Sequence, residues 1–98
     1  MPAYLIAEHL ITDAEKFEEY RSKVGSLIAK HGGRYLTKGG SHEVLEEDSA
    51  VWQPDRVVII EFPDMAALNA WYTSPEYQPL ITLRRASAKD MLITLDGA

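Results

Sequence analysis

The side chains able to do chemistry are few. The sequence has no cysteine, which excludes thiol nucleophiles, disulfide scaffolds, Cys-ligated zinc and iron–sulfur clusters. Any reaction must therefore fall to Glu, His, Tyr or Arg. Glu8 and His9 interrupt the apolar run YLIAEHLIT. Successive strand side chains alternate faces, so the two point opposite ways. Burying either without a partner would cost about 1–3 kcal/mol, so each needs a structural partner, a dimer contact or a wet cavity. His9 is thus a candidate general base. Glu61 is another, at the end of the strongly apolar run RVVIIEF. Beside an arginine it would be an ion pair; in an apolar pocket its pKa would rise. Arg84 shares a helical stripe with Tyr77, Leu80, Ile81 and Ala88, where it must snorkel, pair with an acid such as Glu61, or await an anionic ligand. Trp71, Tyr72 and Tyr77 beside it could wall an apolar pocket, although an aromatic stripe at helical spacing is usually core. His42, Glu43, Glu46 and Glu47 read as a solvated hairpin rather than a metal site, and no phosphate loop or HExxH motif is present.

The elements that must position these residues follow from pattern. Tyr4–Thr12 reads as a strand buried on both faces. Thr12–His31 reads as a helix, with a capping box at Thr12 and Glu15 or a competing N-cap at Asp13. Its apolar stripe includes Phe17, Tyr20, Val24, Leu27 and Ile28, and Gly32-Gly33 ends it. Arg34–Lys38 reads as a strand and Gly39-Gly40 as a bend. A second short strand is expected around His42–Glu46, then a loop over Ser49–Asp55 with Trp52 and Pro54. Four consecutive β-branched residues make Arg56–Phe62 the strongest strand. Asp64 caps the next helix, Ser74-Pro75-Glu76 starts another running to about Ala88, and Asp90–Asp96 is the last strand.

The order is β-α-β-(β)-β-α-(α)-β, an α+β, ferredoxin-like β-α-β-β-α-β sandwich with helices on one sheet face. Strands apolar on both faces need a second cover, and another copy of the chain is the simplest. Two sheets packed face to face make a dimeric α/β barrel. Length allows a single domain over residues 1–98. A net charge of −5 argues against nucleic acid or an anionic membrane as main partner. No apolar run is long enough to span a bilayer and no leader pattern opens the chain, so a cytoplasmic protein is expected.

Several segments resemble the domain-of-unknown-function family 1330 of the dimeric α/β-barrel superfamily. They are His31-Gly32-Gly33-Arg34-Tyr35-Leu36 with Gly39-Gly40, then Val44-Leu45-Glu46, the run RVVIIEFP from Arg56 to Pro63, and AWYTSPEYQ from Ala70 to Gln78. Arg84 follows at the family's usual place, so the resemblance covers nearly the whole chain. It implies a ferredoxin-like protomer and a homodimer joined through its sheets, with a pocket between sheet and helices in each subunit. The superfamily includes cofactor-independent monooxygenases, haem-degrading enzymes and small isomerases; this family has no established reaction. The pattern's polar and aromatic members are here Arg34, Glu46, Arg56, Glu61, Trp71, Tyr72, Ser74, Tyr77 and Arg84, with Ser74 fitting best as a helix cap. The Asn-Trp-His set of haem-degrading relatives is not evident, since Asn69 is unaccompanied.

Together these readings lead us to expect a homodimer that binds a small, partly apolar, anionic molecule. Arg84 and Arg34 would contact its acidic group and Trp71, Tyr72 and Tyr77 would form the apolar wall. Glu61 or His9 would handle the proton. No metal and no cofactor are expected, nor a nucleic-acid or membrane partner. Catalysis, if any, would be cofactor-free proton transfer or oxygenation of an aromatic or polyketide-like substrate. The alternative is a non-catalytic structural or stress-related dimer without a ligand pocket, in which Arg84 pairs with Glu61 and the aromatics are core.

Overall fold

The computed structural model describes residues 1–48 and 52–98. The expected loop at Ser49–Asp55 therefore falls partly outside the described residues. Strands β1 (Ala3–Ile11), β2 (Arg34–Lys38), β3 (Arg56–Phe62) and β4 (Ala88–Asp96) form an antiparallel sheet in the order β2-β3-β1-β4. Helices α1 (Ala14–Lys30), α2 (Met65–Tyr72) and α3 (Gln78–Ser87) complete it. This is the ferredoxin-like α+β arrangement expected from the element order.

Strand parity fixes which side chains meet. In β1 the odd residues Ala3, Leu5, Ala7 and His9 are buried. In β3 the buried set is Val58, Ile60 and Phe62. The register sets Leu5 opposite Ile60, Ala7 opposite Val58 and His9 opposite Arg56. These residues form the helix-covered face. Helix α1 lays Phe17, Tyr20, Val24, Leu27 and Ile28 against it, and α2 adds Leu68 and Trp71. The even residues Tyr4, Ile6, Glu8 and Leu10 lie on the other face.

Of the two N-caps open to α1, Asp13 serves, its carboxylate accepting from the Lys16 amide at 3.1 Å. Two boundaries differ from expectation. Helix α3 starts at Gln78 with Pro79 in its first turn, rather than at Ser74. Ser74 instead closes a turn, donating to the Trp71 carbonyl and accepting from the Tyr77 amide. Strand β4 starts two residues early because Ala88 and Lys89 pair with Ile11 and Leu10. The expected strand around His42–Glu46 is absent. Its polar residues leave Val44 and Leu45 no shared apolar face to bury, and Leu45 is 90% exposed.

Gly33 marks the tightest packing after α1. A Cβ there would come within 2.6 Å of Ile28 Cγ2 and 2.7 Å of Phe62 Cε1. At Gly40 a Cβ would meet nothing within 4 Å. Gly33→Ala should therefore cost about 1–3 kcal/mol by overpacking, while Gly40→Ala should stay within about 0.5 kcal/mol. Urea midpoints of the two variants compare them directly; equal midpoints would contradict this difference in packing.

Candidate functional site: a buried His-Asp-Arg cluster beside a cavity

Pairing of β1 with β4 sets His9 directly opposite Asp90. His9 Nδ1 lies 2.5 Å from Asp90 Oδ1. Arg84, near the end of α3, donates from Nη1 to Asp90 Oδ2 at 2.7 Å. The cluster is buried: His9 is 5% exposed, Arg84 3%, and the Asp90 side chain 4%. One carboxylate thus uses one oxygen for the histidine and the other for the arginine. The guanidinium is always charged, and a buried charge requires a partner. Asp90 is therefore the carboxylate that balances Arg84. Facing a carboxylate oxygen, His9 Nδ1 must carry hydrogen, so in the neutral ring the lone pair sits on Nε2. Phe17 packs edge-on against the imidazole, ring centroids 5.0 Å apart. Among the described residues Nε2 has no hydrogen-bond partner.

Behind this cluster lies a hydroxyl pair. The Tyr20 and Tyr77 hydroxyls are 2.8 Å apart and buried. Burial pushes both phenols above the ordinary tyrosine range. Burial opposes the charge of Arg84, but the Tyr77, Tyr20 and Asp90 oxygens outweigh it and raise its pKa further. Tyr77 stacks on Trp71 at 4.2 Å between ring centroids, and Tyr72 lies 5.8 Å from Tyr77.

A cavity of about 230 Å³ opens between α1 and the sheet. Leu5, Ala7, Val58, Ile60 and Trp71 give it apolar walls. His9 and Tyr20 face it as well. Tyr35, Lys38, Arg56, Glu18 and Arg21 lie toward its mouth, beside edge strand β2 and the outer turns of α1.

The structure separates the residues expected to converge. Arg84 pairs with Asp90 and not with Glu61. Glu61 lies on the opposite sheet face, where Arg34 Nε donates to its Oε1 at 2.9 Å. Hydrogen bonds from Arg34 and from the Tyr4 hydroxyl hold the Glu61 carboxyl below its usual range. It is an ion pair, the first of the two readings open to it. Arg34 and Arg84 thus occupy different faces and cannot grip one acidic group. Of the aromatic trio, Trp71 lines the cavity; Tyr77 is sealed behind it and Tyr72 packs outside. Asp90 gives no signal in the sequence because it stands at a strand start, where polar residues are ordinary. Only the β1–β4 register brings it opposite His9. The candidate metal cluster at His42 does not form among the described residues, and no described helix is long and apolar enough to cross a membrane.

The tyrosine pair has a pH signature. Unfolded phenols release protons near pH 10, whereas the buried pair holds them. The pair's contribution to stability should be constant below that point and fall as pH rises through it, by about 1.4 kcal/mol per pH unit for each group. Tyr20→Phe should lessen the alkaline fall. Urea titrations between neutral and strongly alkaline pH check this, and a profile with no alkaline decline would contradict it.

Several solved structures share this fold. A protein of unknown function from Rhodopseudomonas palustris is 21% identical, with 99% of this chain and 82% of that one aligned at a TM-score of 0.80. A dimeric ferredoxin-like protein of unknown function from Jannaschia sp. CCS1 is 17% identical, with 99% and 100% aligned at 0.71. The cofactor-independent oxygenase SnoaB from Streptomyces nogalater is 13% identical, with 99% and 93% aligned at 0.63. At these identities the likeness is one of fold. No match was found among curated proteins. The model of one family spans residues 2–98, so the chain belongs to DUF1330, a domain of unknown function.

Proposed function

We propose that the protein is a homodimer that binds a small, partly apolar molecule in the cavity between α1 and the sheet, with His9 as the group that takes a proton from it. One observation carries this reading. The imidazole is held at Nδ1 by a carboxylate that is itself held by Arg84, and its other nitrogen is unpartnered at the wall of a cavity. Orienting a histidine through Nδ1 so that Nε2 can accept a proton is the arrangement general-base catalysis requires. Asp90 and Arg84 act through His9 as positioning residues. Trp71 and the aliphatic floor form the apolar wall. The chemistry that suits this set is cofactor-free proton abstraction. The cofactor-independent oxygenase among the similar folds is consistent with it as fold-level analogy only. The cavity favours this reading over a dimer with no ligand site.

The cavity should take one substituted ring, since an engineered cavity of about 150 Å³ already accommodates benzene. Single-ring aromatic ligands present at about ten times their Kd should raise Tm by about 5–10 °C. Ala7→Leu, which fills the floor, should remove that shift while the variant remains folded. Scanning calorimetry reads both, and ligands that stabilise the two proteins equally would refute the site.

The dimer is supported by the open sheet face. Ile6 faces Ile93 across β1–β4, and Met91, Leu95 and Leu10 extend the patch at 67%, 43% and 47% exposure. An apolar sheet face of this kind marks an interaction surface. Its polar members are already paired, Glu61 with Arg34 and Glu8 with the Trp52 indole N–H. Sedimentation equilibrium should give twice the 11.0 kDa chain mass, and Ile93→Glu should halve it. A chain-mass species for the unaltered protein at micromolar concentration would exclude the dimer.

A further inference from the structure

The ligand's charge can be read from the cavity mouth. We infer that the cavity selects a small organic anion, a single-ring carboxylate, whose apolar body rests on the Ala7–Val58 floor and whose charged group is met by Arg56 and Lys38. This rests on the cavity reading above and assigns the anion contact to residues other than Arg34 and Arg84, both of which are engaged by acids elsewhere.

Register puts these two cations on the helix side of the sheet. His9 pairs with Arg56 and Val58 with Lys38, so both basic residues flank the same end of the cavity as the imidazole. The chain carries more acids than bases, 15 against 10, yet its cavity mouth holds Arg21, Lys38 and Arg56 against the single acid Glu18. Arg21 is matched by Glu18 at 3.6 Å. Arg56 and Lys38 have no acidic partner among the described residues; Lys38 sits 5.1 Å from the centroid of the Tyr35 ring. Arg56 is also built into place. Gly39 has a φ of +81°, and a Cβ there would come within 2.3 Å of Arg56 Cγ. The glycine lets the arginine's aliphatic stem lie against the backbone. An independent observation points to a ligand at the same end: His9, nine-tenths buried, with Nε2 unpartnered on the cavity wall. Two uncompensated cations beside the imidazole suit an anionic substrate and would stabilise negative charge that develops when His9 removes a proton.

Benzoate and its neutral isostere benzamide separate the possibilities, with binding followed through the ¹⁵N-labelled His9 ring. Benzoate should move the His9 signals at millimolar concentration and bind about tenfold or more tightly than benzamide. Arg56→Gln and Lys38→Gln should each weaken benzoate by about tenfold and leave benzamide unchanged. Lys38 is exposed on an edge strand, so its variant carries the test even where Arg56→Gln unfolds. Equal binding of the two ligands, unaltered in the variants, would overturn the anion preference and leave the cavity reading intact. A benzoate preference that survives both substitutions would overturn the assignment to Arg56 and Lys38. Silence of the His9 signals toward both ligands would overturn the cavity reading itself.

Discussion

The Asp90 carboxylate, buried between a histidine and an arginine, is the constraint around which the rest of the molecule is arranged. Leaving such a charge unpaired in the interior costs several kcal/mol, so all three groups must arrive together. They come from β1, the last turn of α3 and the start of β4. Helix α3 passes into β4 with no intervening residue, Ser87 directly preceding Ala88. That junction is stitched to the start of α1: the Ser87 carbonyl accepts from the Thr12 amide at 2.8 Å and the Asp13 amide at 3.0 Å. The β1–α1 and α3–β4 corners are therefore one knot, with the ionic cluster beneath it. The position of α1 over the sheet, and with it the cavity roof, depends on that knot.

The sheet then divides the polar residues by parity. Odd positions of β1 and even positions of β3 face the helices; the others face outward. Glu61 and His9 therefore belong to different environments. On the outer face Glu61 is held by Arg34 and Tyr4, a mixed polar end to an apolar surface suited to a second copy. On the inner face His9 is held by Asp90 at the edge of a cavity. An arginine on each side answers its own acid.

Much of this is legible in residue order. The run of β-branched residues bounds Arg56–Phe62 as the structure has it, and Asp64 caps α2 through its bond to the Ala67 amide at 2.8 Å. His9 stands out because a polar residue within an apolar strand requires a partner. The partner does not stand out. Asp90 is 81 positions away and becomes adjacent only through strand register, which a single sequence does not display. Arg84 on its apolar stripe is recognisable as needing an acid. Glu61 suggests itself because it ends the most apolar strand, yet parity turns it outward. The start of α3 is harder to place, because Ser74-Pro75 and Pro79 offer similar signals. Packing decides between them, since sealing Tyr77 behind Trp71 consumes the residues from 74 to 77 as a turn.

The cavity follows from the absence of bulk where α1 crosses the sheet. Helix α1 rests on the large rings of Phe17 and Tyr20 and packs beside α3. Ala7 below and Gly25 above leave the space between unfilled, and Gly25 has no neighbour within 4 Å of where a Cβ would stand. An empty, dry cavity of 230 Å³ would cost up to about 5 kcal/mol at about 24 cal/mol per Å³. That is a large fraction of the stability of any small domain. The lining resolves the conflict. His9, Tyr35, Lys38 and Arg56 make the cavity polar enough to hold water, so it is an open space rather than a packing fault. Filling it with an apolar ring bearing one anionic group would recover buried apolar contact along Ala7, Val58 and Trp71 while leaving the charged group at the cationic mouth. The same shortage of bulk that thins the core thus leaves the cavity open.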